Sequence, residues 1–352
     1  MDQSAVEAVF QRRHGGGDPL LPDQRVPVIG KVVHQRGAID WRRFYVHRLF
    51  RLAPLYLCTM AAMVVIVALI SGGKQSESAF VIFQEIVVWT TFTIFGQPEI
   101  DAIPTFALTS GVTWSLTFEW FFYCLLPVVA VAMRRRTSLT ALGMSIVMLL
   151  VIGANLDDPR RLIGFAGAPV AVYAVQFDGV RRFARTRAAS CLVILMLGLA
   201  TVGFDYSYQR APLLLLSAAF VLIACGSDIL GLLTCRWALY LGRLGYGIYL
   251  LHGLLLFVLF TLIFPTASGW SSDAYWLVAV AATPVLIVAA ALAFEWIETP
   301  GMAHGNAVER WLSMHAGRRR AATVARPHDG VRDAGLMRRL RGIRPDWDRG
   351  PT

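Results

Sequence analysis

The sequence is short of charge. Only 16% of its 352 residues are Asp, Glu, Lys or Arg, against 56% that are hydrophobic, and the mean hydropathy is +0.55. A soluble chain of this length needs far more polar surface, so a soluble globular fold is excluded. The chain also lacks polar breaks within several runs of about 18 or more apolar residues, long enough to cross a hydrocarbon core of ~30 Å. Lipid offers the backbone no hydrogen bonds, so a spanning segment must be a helix or a strand of a closed barrel. These runs are too long and unbroken for barrel strands. The fold class expected is all-α, a polytopic membrane helical bundle.

Cysteine is scarce and badly placed for metals. None of Cys58, Cys124, Cys191, Cys225 and Cys235 stands in a Cys-x-x-Cys or Cys/His spacing, which excludes a disulfide framework and predicts no metal site. Acidic residues are outnumbered, 23 against 33 basic ones, for a net charge of +10. In a soluble chain that excess would suggest nucleic acid. Here the basic residues cluster in short loops and at the C-terminus, the pattern of topology determinants, so the partner expected is the lipid bilayer and no nucleic acid.

Eight spans are predicted, at 50–70, 112–133, 138–155, 162–178, 189–204, 211–226, 246–264 and 275–297. A ninth apolar stretch, 79–95, carries Gln84 and Glu85 and is short; a re-entrant or interfacial segment is expected there. Placing the residues before 50 in the cytoplasm and alternating puts 14 Lys/Arg inside and 4 outside between Arg36 and Arg243. That asymmetry supports the count and predicts a multi-pass protein with both termini cytoplasmic, and the excess of Arg over Lys points to a bacterial cytoplasmic membrane. Three regions follow: a polar, disordered 1–27 without the apolar core of a signal peptide, a transmembrane domain over 28–300, and a basic, disordered cytoplasmic tail over 301–352.

Ionisable groups at membrane depth cost ~2.5–3.5 kcal/mol on insertion scales, so each is a functional candidate. Glu119, in WSLTFEWFFY, has no Lys or Arg within four residues. On a helix it shares a face with Ser115, below Trp114 at the outer interface. It is either a packing carboxylate or the wall of a polar cavity open to the outer face. His252, with Tyr249 one turn before it, is either bonded to a backbone carbonyl or handles protons or substrate. Arg48 and Arg51 share a face at the cytoplasmic mouth of the first span. They are either topology anchors or a dock for an anionic ligand, which the planar guanidinium suits. Glu295 and Glu298 end the last span, where a salt bridge to the basic loops is the simpler account. Counting inward from the ends of the apolar runs leaves roughly 13 Å of depth between Glu119 and His252.

Taken in order, these stretches resemble the acyltransferase-3 family of integral membrane O-acyltransferases. RLFRLAPLY matches its Arg-x-x-Arg before Pro-x-Tyr, and WSLTFEWFFYCLLP its Trp-Ser-Leu-x-x-Glu followed by Phe-Tyr and Pro. GYGIYLLH matches Ser-Tyr-x-x-Tyr-Leu-x-His with Gly245 in place of Ser, and ETP matches a closing Glu-x-Pro. The resemblance covers about residues 28–300. It implies transfer of an acyl group, usually acetyl, from acetyl-CoA or another acyl-CoA as cosubstrate, with no bound cofactor. The acceptor it implies is a hydroxyl of a cell-surface carbohydrate, a lipid-linked sugar or a small molecule. Arg48 and Arg51 would bind the donor, Glu119 and His252 would be catalytic, and Trp114, Ser115 and Tyr249 would bind substrate. The family's first span, with an Arg, ten residues and a His, has no counterpart, so the chain reads as a member lacking its first two transmembrane helices. Rival readings are a lipid or polysaccharide transporter or flippase, and a catalytically inactive truncated member.

Overall fold

The computed structural model describes residues 39–134, 136–156, 167–204 and 209–324. The polar 1–27, the segment to residue 38 and the tail beyond 324 lie outside the described residues. Within them every regular element is a helix, apart from one isolated bridge between Ile100 and Ile103.

Four helical stretches are long and apolar enough to cross a membrane: Trp41–Ile70, Trp114–Ala132, Arg236–Ile263 and Ser272–His315. A fifth would be Asp178–Ala184 with Arg187–Val202 if that pair, bent by 73°, counts as one span. We label the helices in chain order: α1 Trp41–Ile70, α2 Ala79–Trp89, α3 Thr105–Leu108, α4 Trp114–Ala132 and α5 Leu139–Ala154. There follow α6 Gly167–Ala174, α7 Asp178–Ala184, α8 Arg187–Val202 and α9 Arg210–Ala224. Then come α10 Arg236–Phe257, α11 Ser272–Ala281, α12 Thr283–Ala293 and α13 Thr299–Val324. The expected spans at 138–155 and 211–226 correspond to α5 and α9, of 16 and 15 residues. Of the span expected at 162–178, the described part is α6, of 8 residues. The last span runs through a π-helical turn, Phe294–Glu298, into α13, past the boundary at 300 that composition suggests.

Two helices begin well before their apolar runs. α1 starts at Trp41, where the Asp40 side chain accepts from the Arg43 amide at 3.1 Å and caps the first turn. α10 starts at Arg236, ten residues before the apolar window. The first turns of both carry basic residues that a hydropathy window rejects, although the backbone is already helical.

Proline does specific work in this bundle. A helical proline has no N–H, so the carbonyl four residues earlier loses its partner. Pro127, inside α4, leaves the carbonyl of Tyr123 free, and the Tyr45 hydroxyl of α1 donates to it at 3.2 Å. Pro54, inside α1, does the same for Phe50. There the last span comes in close: a Cβ on Gly301 would stand 3.0 Å from the Phe50 carbonyl oxygen and 2.5 Å from Pro54 Cγ. Gly253 of α10 likewise lies against the Thr109 carbonyl just past α3, where an added Cβ would come within 2.3 Å. In lipid, helices associate through close packing and polar contacts rather than hydrophobic drive, and small residues allow that approach.

The 79–95 stretch forms α2, only 11 residues and so ~16 Å long, too short to cross ~30 Å of hydrocarbon. Its end is deeply placed: Trp89 is buried, its carbonyl accepts from the Tyr56 hydroxyl at 2.6 Å, and its Nε1 donates to Pro98 at 3.0 Å. After it, Thr93 and Thr117 join this loop to α4 through hydroxyls 3.0 Å apart.

Candidate active site

α1, α4 and α10 pack around a cavity of about 430 Å³ lined by Arg48, Arg51, Leu52, Ser115, Glu119, Tyr123, Gly245, Tyr246 and Tyr249. Its volume is on the scale of a small-molecule site. Each wall follows from helical spacing. Arg48, Arg51 and Leu52 fall on one face of α1 at three- and four-residue steps, as do Ser115, Glu119 and Tyr123 on α4, and Gly245, Tyr246 and Tyr249 on α10.

The helices are pinned to each other at cavity height. The Ser115 and Tyr249 hydroxyls are 2.6 Å apart, and Tyr249 also donates to the Val112 carbonyl. Tyr246 donates to the Leu52 carbonyl at 2.8 Å. Tyr123 donates its hydroxyl to Glu119 Oε1, one turn back on the same helix. The guanidinium of Arg48 lies 5.2 Å from the ring centroid of Tyr123 and 5.5 Å from that of Phe44, within cation–π range. Tyr123 thus holds a carboxylate with its hydroxyl and an arginine with its ring, while its carbonyl, freed by Pro127, ties α4 to α1. Two arginines and one carboxylate therefore meet in a single polar chamber inside an apolar bundle.

Of the residues the sequence proposes, Arg48, Arg51, Ser115, Glu119 and Tyr249 line this cavity together; Trp114 and His252 do not line it. Trp114 opens α4 and stacks edge-on against Phe118, with centroids 5.4 Å apart. The His252 Nδ1 lies 2.7 Å from the Tyr249 carbonyl and 3.3 Å from that of Ile248. A carbonyl only accepts, so Nδ1 carries the proton in these bonds.

The expected depths need correcting. Ser115 and Tyr249 touch, so they sit at one level of antiparallel helices. Glu119 is one turn from that level toward the Trp41 end of α1, and His252 is about one turn away in the opposite direction. They are ~10 Å apart along the axes, in the reverse of the expected order. The error has one source: α10 starts at Arg236, so His252 stands in the middle of its helix and not near its mouth. The same holds for Arg48 and Arg51, which stand two to three turns inside α1 and share a chamber with Glu119. Leu52, Tyr123 and Tyr246 are the lining residues missed by sequence reasoning. Tyr123 was signalled by its four-residue spacing from Glu119; nothing local marks Tyr246, whose role comes from contact with α1.

No group of three or more His, Cys, Asp or Glu side chains suited to a metal occurs among the described residues.

A helical membrane bundle with a polar chamber of arginines, a carboxylate and hydroxyls is the class of protein these features define. The chain belongs to the acyltransferase-3 family: the family model, described as an acyltransferase domain, matches residues 32–295. No curated protein and no solved structure gives a significant match.

Proposed function

We propose that the protein transfers an acyl group, acetyl in the simplest case, from acyl-coenzyme A to a hydroxyl of a carbohydrate, a lipid-linked sugar or a small molecule. The observation that carries this reading is the joint lining of one cavity by Arg48, Arg51 and Glu119. The donor is an anion with a thioester, and the acceptor must lose a proton as it attacks; the chamber offers cations for the first and a base for the second. Glu119, held through Oε1 by Tyr123, accepts the hydroxyl proton on its other oxygen. The acceptor oxygen forms a bond to the thioester carbon, the carbon–sulfur bond breaks, and the thiolate leaves with the proton returned by Glu119. Proton removal of this kind contributes ~10²–10⁴-fold in rate. Arg48 and Arg51 neutralise donor phosphate or the developing oxyanion, and the Ser115–Tyr249 hydroxyl pair receives the acceptor. His252 supports that pair through its bond to the Tyr249 carbonyl, which leaves Glu119 as the base. The reading includes the eight-span topology, both termini cytoplasmic, in a cytoplasmic membrane.

The test is acetyl transfer from labelled acetyl-CoA in membranes. Glu119→Gln should lower the rate ~100-fold or more at saturating donor. Arg51→Ala should raise the donor KM about tenfold, the loss of one charge-assisted contact. Unchanged transfer in both variants overturns these assignments.

A further inference from the structure

Gly242, Gly245, Gly247 and Gly253 all lie within α10. In a helix interior glycine is less stable than alanine, so each needs a compensating use. Two are packing positions. An added Cβ would stand 3.3 Å from the Ala290 Cβ at Gly247, and 2.3 Å from the Thr109 carbonyl oxygen at Gly253. The other two are not: at Gly242 and Gly245 an added Cβ would meet no described atom within 4 Å. What lies over Gly245 is the cavity, whose wall it shares with Tyr246 and Tyr249. Both tyrosines are tied by their hydroxyls, Tyr246 to the Leu52 carbonyl at 2.8 Å and Tyr249 to the Ser115 hydroxyl at 2.6 Å. Neither ring is therefore free to turn and fill the gap.

The gap has a direction. α1 and α10 run the same way, each antiparallel to α4, and the Tyr246–Leu52 bond sets their register. Gly242, about one turn before Tyr246, thus stands near the depth of Arg48, one turn before Leu52. Open backbone extends from the Ser115–Tyr249 pair toward the end of the bundle where α1 and α10 begin, and Gly242 is exposed there. Between α1 and α4 that same end is filled. Phe44 packs edge-on against Tyr123 and Trp41, with centroids 5.7 and 5.9 Å apart, and Trp41 is 3% exposed. The Tyr45 hydroxyl bridges the Tyr123 carbonyl at 3.2 Å and the Ser145 hydroxyl at 3.0 Å. A chain-like ligand that reaches Glu119 from this end finds rings beside Tyr123 and open space beside Gly242.

We propose that Gly245 and Gly242 form the bed of the donor's pantetheine arm, the narrow amide-bearing chain between thioester and nucleotide. Their missing side chains let the arm lie against α10, with the thioester at Glu119 and the nucleotide end toward the start of α10. The two glycines are specificity-determining residues: they touch the donor and take no part in the chemistry. The proposal rests on the assignment of this cavity to an acyl-coenzyme A donor.

The experiment measures coenzyme A and acetyl-CoA binding and thermal unfolding of the detergent-solubilised full chain, for the native protein, Gly245→Ala, Gly245→Leu, Gly242→Leu, Arg51→Ala and, as a control on the outer surface, Gly198→Leu. A side chain at Gly245 or Gly242 enters open space, so the unfolding temperature should hold or rise. The Kd for both ligands should rise about tenfold in each leucine variant, and less in Gly245→Ala, graded with side-chain size. Gly198→Leu should stay within about twofold of native. A Kd within twofold of native for both Gly245→Leu and Gly242→Leu overturns the proposal, as does a loss of affinity that only follows a lowered unfolding temperature, or one that Gly198→Leu reproduces. Weaker binding of acetyl-CoA with coenzyme A unaffected also overturns it, because the space would then take the acyl group and not the arm. If Arg51→Ala leaves coenzyme A binding unchanged, the donor assignment itself fails; if Arg51→Ala weakens it and the leucine variants are silent, the donor assignment stands and the arm lies elsewhere.

Discussion

The cavity wall and the outer pair of helices, α8 with α9, are built from similar apolar sequence and differ in what fills their contacts. Around the cavity, glycines bring backbones together and hydroxyls meet carbonyls freed by proline: Gly253 on Thr109, Gly301 on Pro54, Tyr45 on Tyr123. In the outer pair, small residues such as Ala189, Val193, Ala200 and Ala219 are buried, and one hydroxyl pair, Ser190 and Ser227 at 3.3 Å, joins the start of α8 to the turn after α9. Leu195, Leu199, Val202, Leu214 and Phe220 are exposed on the outside of that pair, on the surface that lipid covers. The first region has a defined shape to lose. The second has mostly lipid-facing area, where one aliphatic side chain substitutes for another at little cost.

The sharpest way to break this contrast is Gly253→Ala. The new Cβ would press on backbone atoms of Thr109 and Ser110, which cannot swing aside as a side chain would. The expected loss is about 3 kcal/mol, the upper end for overpacking, seen as a large drop in unfolding temperature in detergent and a poor yield of monodisperse protein.

A smaller effect is expected from Tyr123→Phe. The ring that faces Arg48 stays, and the hydroxyl that holds Glu119 goes. The acyl-transfer rate should fall about tenfold with the donor KM unchanged within twofold, a loss of roughly 1.4 kcal/mol in the transition state alone. A shift in KM of the same size would mean that the hydroxyl serves donor binding instead.

A pH effect is expected outside both regions, in α2. Burial raises the Glu85 pKa above 4.5; the Asp101 amide, donating at 3.2 Å, opposes the rise, and neighbouring Glu77 adds to it. A carboxyl with a raised folded pKa binds its proton more tightly when folded. Its contribution to stability is therefore complete below the unfolded value and is lost as pH climbs through the folded one. Glu85→Gln should flatten that decline, so the variant gains unfolding temperature relative to the native chain at pH 7 and little at pH 4.

The smallest change is the matched control for Gly253. Gly198 lies in α8 with nothing within 4 Å of its would-be Cβ. Gly198→Ala should be neutral or stabilising by about 0.5–1 kcal/mol, the helix preference of alanine over glycine. A loss as large as that at Gly253 would erase the distinction between the two regions.

Much of the site was legible in the sequence because its chemistry stands in an apolar background. Glu119, Arg48 and Arg51 are conspicuous there, and the regular steps from Ser115 to Glu119 and from Arg48 to Arg51 put each set on one helical face. Tyr246 was harder to read: a tyrosine beside an interface is ordinary locally, and its place in the wall arises from contact with α1.

By itself, the sequence determined the membrane class, the helical fold and the residue types of the chamber, because long apolar runs and isolated charges have few physical solutions in lipid. Tertiary structure decided the depths. Hydropathy marks where a chain becomes apolar and not where its helix begins. α1 and α10 both begin about ten residues before their apolar runs, and that offset carries two arginines from an apparent membrane edge into the same cavity as Glu119.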